Sequence, residues 1–289
     1  MELRSVAALI EASRKMPIWE AILCSDLEED TPEQRAVSLE KMQMLWQVMQ
    51  ESAAGYDGSQ RSLSGLSGGD GEKYTQMLSS GKMMCGTYLN DAIATALKVS
   101  ECNACMKRIV AAPTAGSCGV IPAVLIPYRK EYPDTPEEEM LHALYVTGGF
   151  GNIIAERASV SGAEAGCQAE IGAASAMAAA ALVYLRGGSP EACGNACAMA
   201  LKNLLGLVCD PVAGLVEVPC VKRNVVGVVN AISSANMALA GIVSRIPPDE
   251  VIDAMAEVGS SMSADLRETA RGGLAATPTG KRIAAERAE

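Results

Sequence analysis

Histidine and phenylalanine are almost missing from this chain: one of each in 289 residues, with aromatic residues at 3% of the total. A single histidine, His142, excludes metal sites built from several imidazoles and leaves only one candidate for a histidine-assisted nucleophile. That residue lies beyond a helix start at Thr135, beside Leu141 and Leu144, which is the setting of a core side chain. Basic charge is short as well. A net charge of −10 offers no ready surface for nucleic acid or anionic lipid, so neither nucleic acid nor membrane is an expected partner. No long hydrophobic run is uninterrupted: the stretch 225–243 carries Asn230, Ser233, Ser234 and Asn236, which suits a buried helix better than a membrane span. The opening MELRSVAALIEASRKMPIWEAIL has no apolar core followed by a small-residue cleavage site, so no secretory signal is read and the cytoplasm is the expected compartment. Strand signals are thin. KRIVAA and CGVIPAVLIPY are the only short β-like runs, and no strand–helix alternation recurs.

Helix signals, in contrast, are plentiful. Thr31-Pro32-Glu33, Thr135-Pro136-Glu137 and Ser189-Pro190-Glu191 each place a capping hydroxyl before a proline and a glutamate, and Pro248-Asp249-Glu250 opens a fourth segment. After Thr31, Val37, Leu39, Met42, Leu45, Val48 and Met49 recur at helical spacing; after Ser189, so do Cys193, Cys197, Leu201, Leu204 and Leu205. Between them lie IGAASAMAAAALVYL and VGVVNAISSANMALAGIV, whose small side chains let helices approach closely on every side. With 49% hydrophobic residues the chain can fill a sizeable core. The expected fold is mostly α, a compact helical domain with Ala/Gly-rich buried helices. A looser N-terminal arm is expected over 1–30 and one helical domain over 31–289. The Gly-, Ser- and Asp-rich stretch 55–74 reads as a long loop, the kind that is often functional.

Ten cysteines in a chain of this length do not suggest a disulfide scaffold. Packing is the default for each. Cys102 and Cys105 form an isolated C-x-x-C, a weak metal signal without a second pair; Cys193 and Cys197 share a leucine-lined helix face; Cys24 and Cys85 have no informative context. Cys118 lies in APTAGSCGVIP, where Thr114, Gly116 and Ser117 belong to a small-residue turn able to bare backbone N–H groups to a carboxylate; a nucleophilic role for Cys118 lacks a nearby base. The stretch CDPVAGLVEVPC differs from the rest. Cys209 precedes Asp-Pro and Cys220 follows a proline, so neither belongs in mid-helix, and Gly214 lets the chain turn between them. Cys167, in GAEAGCQAE, occupies another break between helical patterns. Three loop-borne thiols fit a soft-metal site, although spacing alone leaves simple packing open. Three thiolates on an iron–sulfur cluster would leave one iron available for Lewis-acid chemistry.

SVSGAEAGCQAEIGAASAMAAAAL, NLLGLVCDPVAGLVEVPCVKRNVVGVVNAISSANMAL, APTAGSCGVIPAVL and GGLAATPTGKRI together resemble the alpha chain of iron–sulfur-dependent L-serine dehydratases, over about 44–283. The resemblance implies a largely helical catalytic domain, a [4Fe–4S] cluster held by Cys167, Cys209 and Cys220, and β-elimination of water from L-serine to give pyruvate and ammonia. It implies a place in amino-acid catabolism, an oligomer, and a separate beta chain, since members carry a small second domain either in the same chain or in a partner. The resemblance implies a histidine base from that smaller part; this chain departs by offering only His142 in a core-like setting, so the base is expected from a partner chain. Thr114, Gly116, Ser117 and Arg223 are the candidate substrate contacts, with Lys222 and Lys281 behind them. Three other readings stay open here: a cluster-dependent lyase acting on cysteine, a redox carrier recruiting Cys118 or Cys105 as a fourth ligand, and a partner protein that has lost its cluster.

Overall fold

The computed structural model describes residues 3–287. Among these the chain forms thirteen α-helices and no strand, with a single isolated bridge between Cys209 and Arg267. The mostly helical expectation holds. At its centre lies α9 (Ala173–Leu185), whose residues from Ala173 to Val183 are all buried. Alanine has the best intrinsic helix propensity, and a helix apolar on all sides must be enclosed. Around α9 pack α6 (Val120–Glu131), α7 (Glu137–Arg157), α10 (Pro190–Lys202) and α11 (Cys220–Leu239). The stretch 168–185 is long and apolar enough to cross a bilayer, but 83% of it is buried inside the fold, as in a core helix. Side chains of one or a few atoms keep these axes close. They also admit a polar bolt: Ser175 Oγ donates to the Gly227 carbonyl at 2.8 Å, and Asn230 reaches both Ser175 Oγ and the Ala200 carbonyl at 2.8 Å.

Helix starts follow the capping residues. Thr31 Oγ1 accepts from Gln34 N at the head of α3 (Pro32–Ala54), and Ser189 Oγ accepts from Ala192 N at the head of α10. Pro248, Asp249 and Glu250 open α12 (Pro248–Ser261). The Thr135 signal is displaced: α7 begins at Glu137 after Pro136, with three glutamates rather than a hydroxyl at its positive end. Only part of the α3 stripe faces inward. Trp46, Val48 and Met49 are buried, whereas Val37 and Leu45 are exposed.

Three expectations need correction. Over 1–30, α1 (Val6–Ala12) and α2 (Ile18–Asp26) are docked against the body rather than loose: Val6, Leu9, Ala21, Ile22 and Leu23 join the main core. The Asp249 carboxylate of α12 accepts from Val6 N and Ala7 N at 2.8 and 3.0 Å, capping α1 from a distant part of the chain. CGVIPAVLIPY is not β-like but α6, because a wholly buried apolar run has no period that separates strand from helix. The loop over 55–74 ends sooner, at Gly69, and α4 (Asp70–Leu78) begins there. Glu101, on α5 (Thr87–Ala104), is buried and accepts from Asp70 N at 2.9 Å, Gly71 N at 3.1 Å and the Tyr56 hydroxyl at 2.5 Å. A buried carboxylate at a positive helix end thus pins both ends of that loop.

Enclosure of α9 leaves no room for larger side chains. Ala178→Leu is expected to destabilise the fold by about 1–3 kcal/mol through overpacking. A lower urea midpoint with an unchanged slope is the confirming result; an unchanged midpoint would show that α9 is looser than described.

Candidate metal centre

Cys167 is placed by a break in the chain just ahead of α9. After the short α8 (Gly162–Ala165), Gly166 adopts φ +76°, where a Cβ would press on the Leu207 carbonyl at 2.9 Å and the Met262 sulfur at 2.7 Å. Cys167 follows, and residues Gln168–Gly172 form one wide π turn before α9 settles into regular helix. Such turns are frequent at functional sites. Gln168 holds this corner: its N–H donates to the Leu207 carbonyl at 2.9 Å, its Nε2 to the Met255 carbonyl at 3.0 Å, and its Oε1 accepts from Gly206 N at 2.9 Å.

Cys209 and Cys220 bracket a closed loop. Val212 N donates to the Val218 carbonyl at 2.8 Å, and the chain reverses through Ala213 and Gly214, both at positive φ. Cys209 is clamped on its backbone, donating to Leu266 at 2.8 Å and accepting from Glu268 N at 2.7 Å. Cys220 is the first residue of α11, so its sulfur lies at the positive end of a 20-residue helix. Arg223, one turn on, pairs with Asp210 at 2.8 Å and donates to the Val208 carbonyl at 2.7 Å. Asp210 also accepts from Leu274 N at 2.7 Å, and a side chain at Gly273 (φ +55°) would collide with its carboxylate. The C-terminal segment is thereby tied to the cysteine loop.

The three thiols share one electrostatic neighbourhood. Burial pushes Cys167 and Cys220 up to about 12, and Cys209 further still. Cys209 feels Glu170, Cys167, Glu268 and Cys220; Cys220 feels Cys167 and Glu170; Arg223 opposes the rise at Cys167 and Cys220. Glu170, raised by burial, stands among them and was not singled out from sequence. It accepts from Thr114 Oγ1 at 2.6 Å and from the Cys209 thiol at 3.8 Å. A Cβ on Gly162 would lie 2.5 Å from Glu170 Oε2 and 3.2 Å from the Cys209 sulfur, while one on Gly116 would lie 3.0 Å from Glu170 Oε1. Both glycines mark a cradle closed on Glu170.

Of the candidate substrate contacts, Thr114 and Gly116 border this cradle. Ser117 is fully buried, its hydroxyl turned into its own turn toward Thr114 and the Ala112 carbonyl. Asn224, invisible to motif reasoning, locks that turn to α11: its Oδ1 accepts from Gly119 N at 2.9 Å, and its Nδ2 donates to the carbonyls of Gly116 at 2.8 Å and Cys220 at 2.9 Å. Arg223 is engaged with Asp210. Lys222 points outward to Asp70 at 2.6 Å, and Lys281 is exposed on α13 (Pro278–Glu286). The 62–70 loop joins the site through buried Glu217, whose Oε2 accepts from Ser62 Oγ and Ser64 Oγ at 2.7 Å each. Cys118 is buried with its thiol pushed up to about 12, the setting of a packing residue. Cys193 and Cys197 are fully buried on α10. His142 is buried on α7, stacked on Trp19 at 3.7 Å between centroids, on elements that supply nothing to the cysteine site.

No disulfide consumes these thiols. Among the described residues no group of three His, Cys, Asp or Glu is arranged to hold a single metal ion. A cluster asks for something else, since each thiolate binds a different iron and the sulfurs surround the inorganic core rather than meet at a point. Three buried soft donors, backed by a guanidinium and a helix N-terminus, fit such a group.

The serine dehydratase alpha chain family model matches residues 13–275. The chain belongs to that family. It is 48% identical over 282 residues to a probable L-serine dehydratase alpha chain of Bacillus subtilis, covering 97% of this chain and 93% of that one. It is 50% identical over 204 residues to the L-serine dehydratase alpha chain of Peptoniphilus asaccharolyticus, covering 71% and 70%. It is 48% identical over 181 residues to L-serine dehydratase TdcG of Escherichia coli, covering 62% of this chain but 40% of that protein, which is therefore the longer one. The region matched by the family includes all three site cysteines and excludes α13 with Lys281.

In this chain Asn224→Ala would orphan the buried Gly119 N and the half-buried Gly116 carbonyl. Each unsatisfied group is expected to cost about 1–3 kcal/mol, and hydrogen exchange at Gly119 should quicken. Exchange that stays at the wild-type rate would mean that the turn is held by other contacts.

Proposed function

We propose that the chain is the catalytic alpha chain of an L-serine dehydratase, a lyase that acts with a separate beta chain and a [4Fe–4S] cluster. The convergence of Cys167, Cys209 and Cys220 beside Glu170 carries the reading, supported by relatives named for that activity. Cys167, Cys209 and Cys220 would hold the cluster. When bound, it would supply an open iron as a Lewis acid that makes the serine hydroxyl a better leaving group.

What the chain's own residues contribute can be stated separately. Arg223 and the α11 N-terminus place positive charge beside the thiols and favour their ionised form against burial. The Thr114–Ser117 turn, held by Glu170 and Asn224, presents small residues and backbone to the site, and Thr114 with Gly116 is positioned to orient a substrate carboxylate. Arg223, committed to Asp210, acts on the thiols more than on substrate. Loss of the α-proton and the β-hydroxyl gives aminoacrylate, which tautomerises and hydrolyses to pyruvate and ammonia. The α-proton needs a base. His142 is stacked away on Trp19, which supports a base borne by the beta chain.

Anaerobically purified protein, assayed for iron, sulfide and pyruvate with and without its beta chain, tests this. Serine at Cys167, Cys209 or Cys220 should each abolish the cluster and turnover, whereas Cys193→Ala should retain iron. Pyruvate should form from L-serine only with the beta chain present. Full turnover by the alpha chain alone would remove the partner-borne base, and faster release of pyruvate from L-cysteine would reassign the substrate. Full iron content in all three serine variants would sink the ligand assignment.

A further inference from the structure

From Ala165 to Val183 every residue is buried except Glu170. It belongs to the π turn that begins at Gln168, and it alone in that turn stays partly open, beside the cysteine site. Two donors reach its carboxylate. Thr114 Oγ1 donates to Oε1 at 2.6 Å, and the Cys209 thiol donates to Oε2 at 3.8 Å. Among the described residues no cation pairs with it, since Arg223 is taken by Asp210. The second donor does not last. A cysteine that binds metal gives up its hydrogen, and Oε2 is then an acceptor without a partner, next to an anionic sulfur. A half-enclosed carboxylate in that position calls for a cation with hydrogens to donate.

We propose that Glu170 holds the ammonium group of the amino-acid substrate through Oε2, and so selects amino acids over hydroxy acids of the same shape. The proposal rests on the dehydratase reading and adds a specificity-determining residue to it. Glycines flank the carboxylate. A Cβ at Gly162 would lie 2.5 Å from Oε2, and one at Gly116 would lie 3.0 Å from Oε1. Either methyl would crowd the carboxylate, so both glycines keep its approaches clear. Charge across the site is divided in a way that suits a zwitterion. Glu170 and Glu268 bear on Cys209, whereas Arg223 bears on Cys167 and on Cys220 at the head of α11. An ammonium belongs on the Cys209 side. The substrate carboxylate shares its carbon with the ammonium, so it falls close by, against the Thr114–Ser117 turn that Glu170 itself holds. The other acids nearby are committed elsewhere. Asp210 pairs with Arg223, Glu217 accepts from Ser62 and Ser64, and Glu268 is exposed to solvent, where its charge is screened.

Calorimetry on the anaerobically purified, iron-loaded chain, without its beta chain, reads binding apart from turnover. L-Serine is expected to bind about tenfold or more tightly than L-glycerate, which has a hydroxyl in place of the ammonium. Glu170→Gln keeps the shape and the acceptor for Thr114, so it should retain iron and sulfide. It should weaken L-serine by about tenfold or more and L-glycerate by less than about threefold. With the beta chain present, KM for L-serine should rise by a similar factor while kcat changes by less than about threefold. A parent chain that binds the two ligands equally would overturn the proposal. So would a Glu170→Gln chain that keeps the parent's preference, or one that loses its iron and thereby makes the carboxylate a support for the cysteines. A fall in kcat at unchanged KM would overturn it too, by giving Glu170 a part in proton transfer. The dehydratase reading fails separately, on a parent chain that carries no iron or yields no pyruvate from L-serine with its beta chain.

Discussion

The enclosure of α9 by four other helices sets the position of everything at the candidate metal centre. Because every residue from Ala173 to Val183 is buried, this helix cannot shift without opening the core. Its first turn is continuous with the π turn that carries Cys167 and Glu170. One thiol and one carboxylate are therefore fixed relative to the body of the molecule. Ser175 and Asn230 then fix α11 against α9, and α11 brings Cys220 on its first residue and Asn224 one turn later. Only Cys209 lies on irregular backbone, and it is the residue that receives a two-sided clamp from Leu266 and Glu268.

Around this rigid frame the loops are held by buried polar groups rather than by packing. Glu101 gathers the ends of the 55–70 segment, Glu217 gathers Ser62 and Ser64, Asp210 gathers Arg223 and Leu274, and Asn224 gathers the Thr114 turn. A buried carboxylate without partners would be costly, so each of these is tolerable only when its loop is in place. The dependence runs both ways: the loop supplies the donors, and the acid specifies where the loop must go. Disturbing one partner leaves the other buried and unpaired, which couples loop order to the chemistry of the site.

Sequence conveyed the parts of this plan that follow from local rules. Alanine-rich runs announced buried helices, and Thr31 and Ser189 announced helix starts, because propensity and capping act within a few residues. Proline and glycine beside Cys167, Cys209 and Cys220 separated them from Cys193 and Cys197, whose spacing matched a buried helix face. Glu170, Asn224, Glu101 and Glu217 carry no such mark. Each is an ordinary polar residue until a partner 30 to 155 positions away in the chain is folded onto it. The docking of α1 is hidden for the same reason, since Asp249, far along the chain, adds to the local Ser5 cap by accepting from Val6 N and Ala7 N. Arg223 reads in the sequence as a candidate substrate contact, and only the fold shows its fork engaged by Asp210 and the Val208 carbonyl.

The titratable groups that bear on the chemistry fall into two separate places, the cysteine site and the His142 stack. Burial raises the three thiols, so a metal binding at them would displace protons. Arg223 and the head of α11 ease that exchange, while Glu170 and Glu268 oppose further negative charge nearby. The one imidazole is sequestered between α2 and α7, where its role is to stack on Trp19. If the base is borne by a partner chain, as proposed, proton abstraction would begin only once the two chains are assembled, and assembly would itself control turnover.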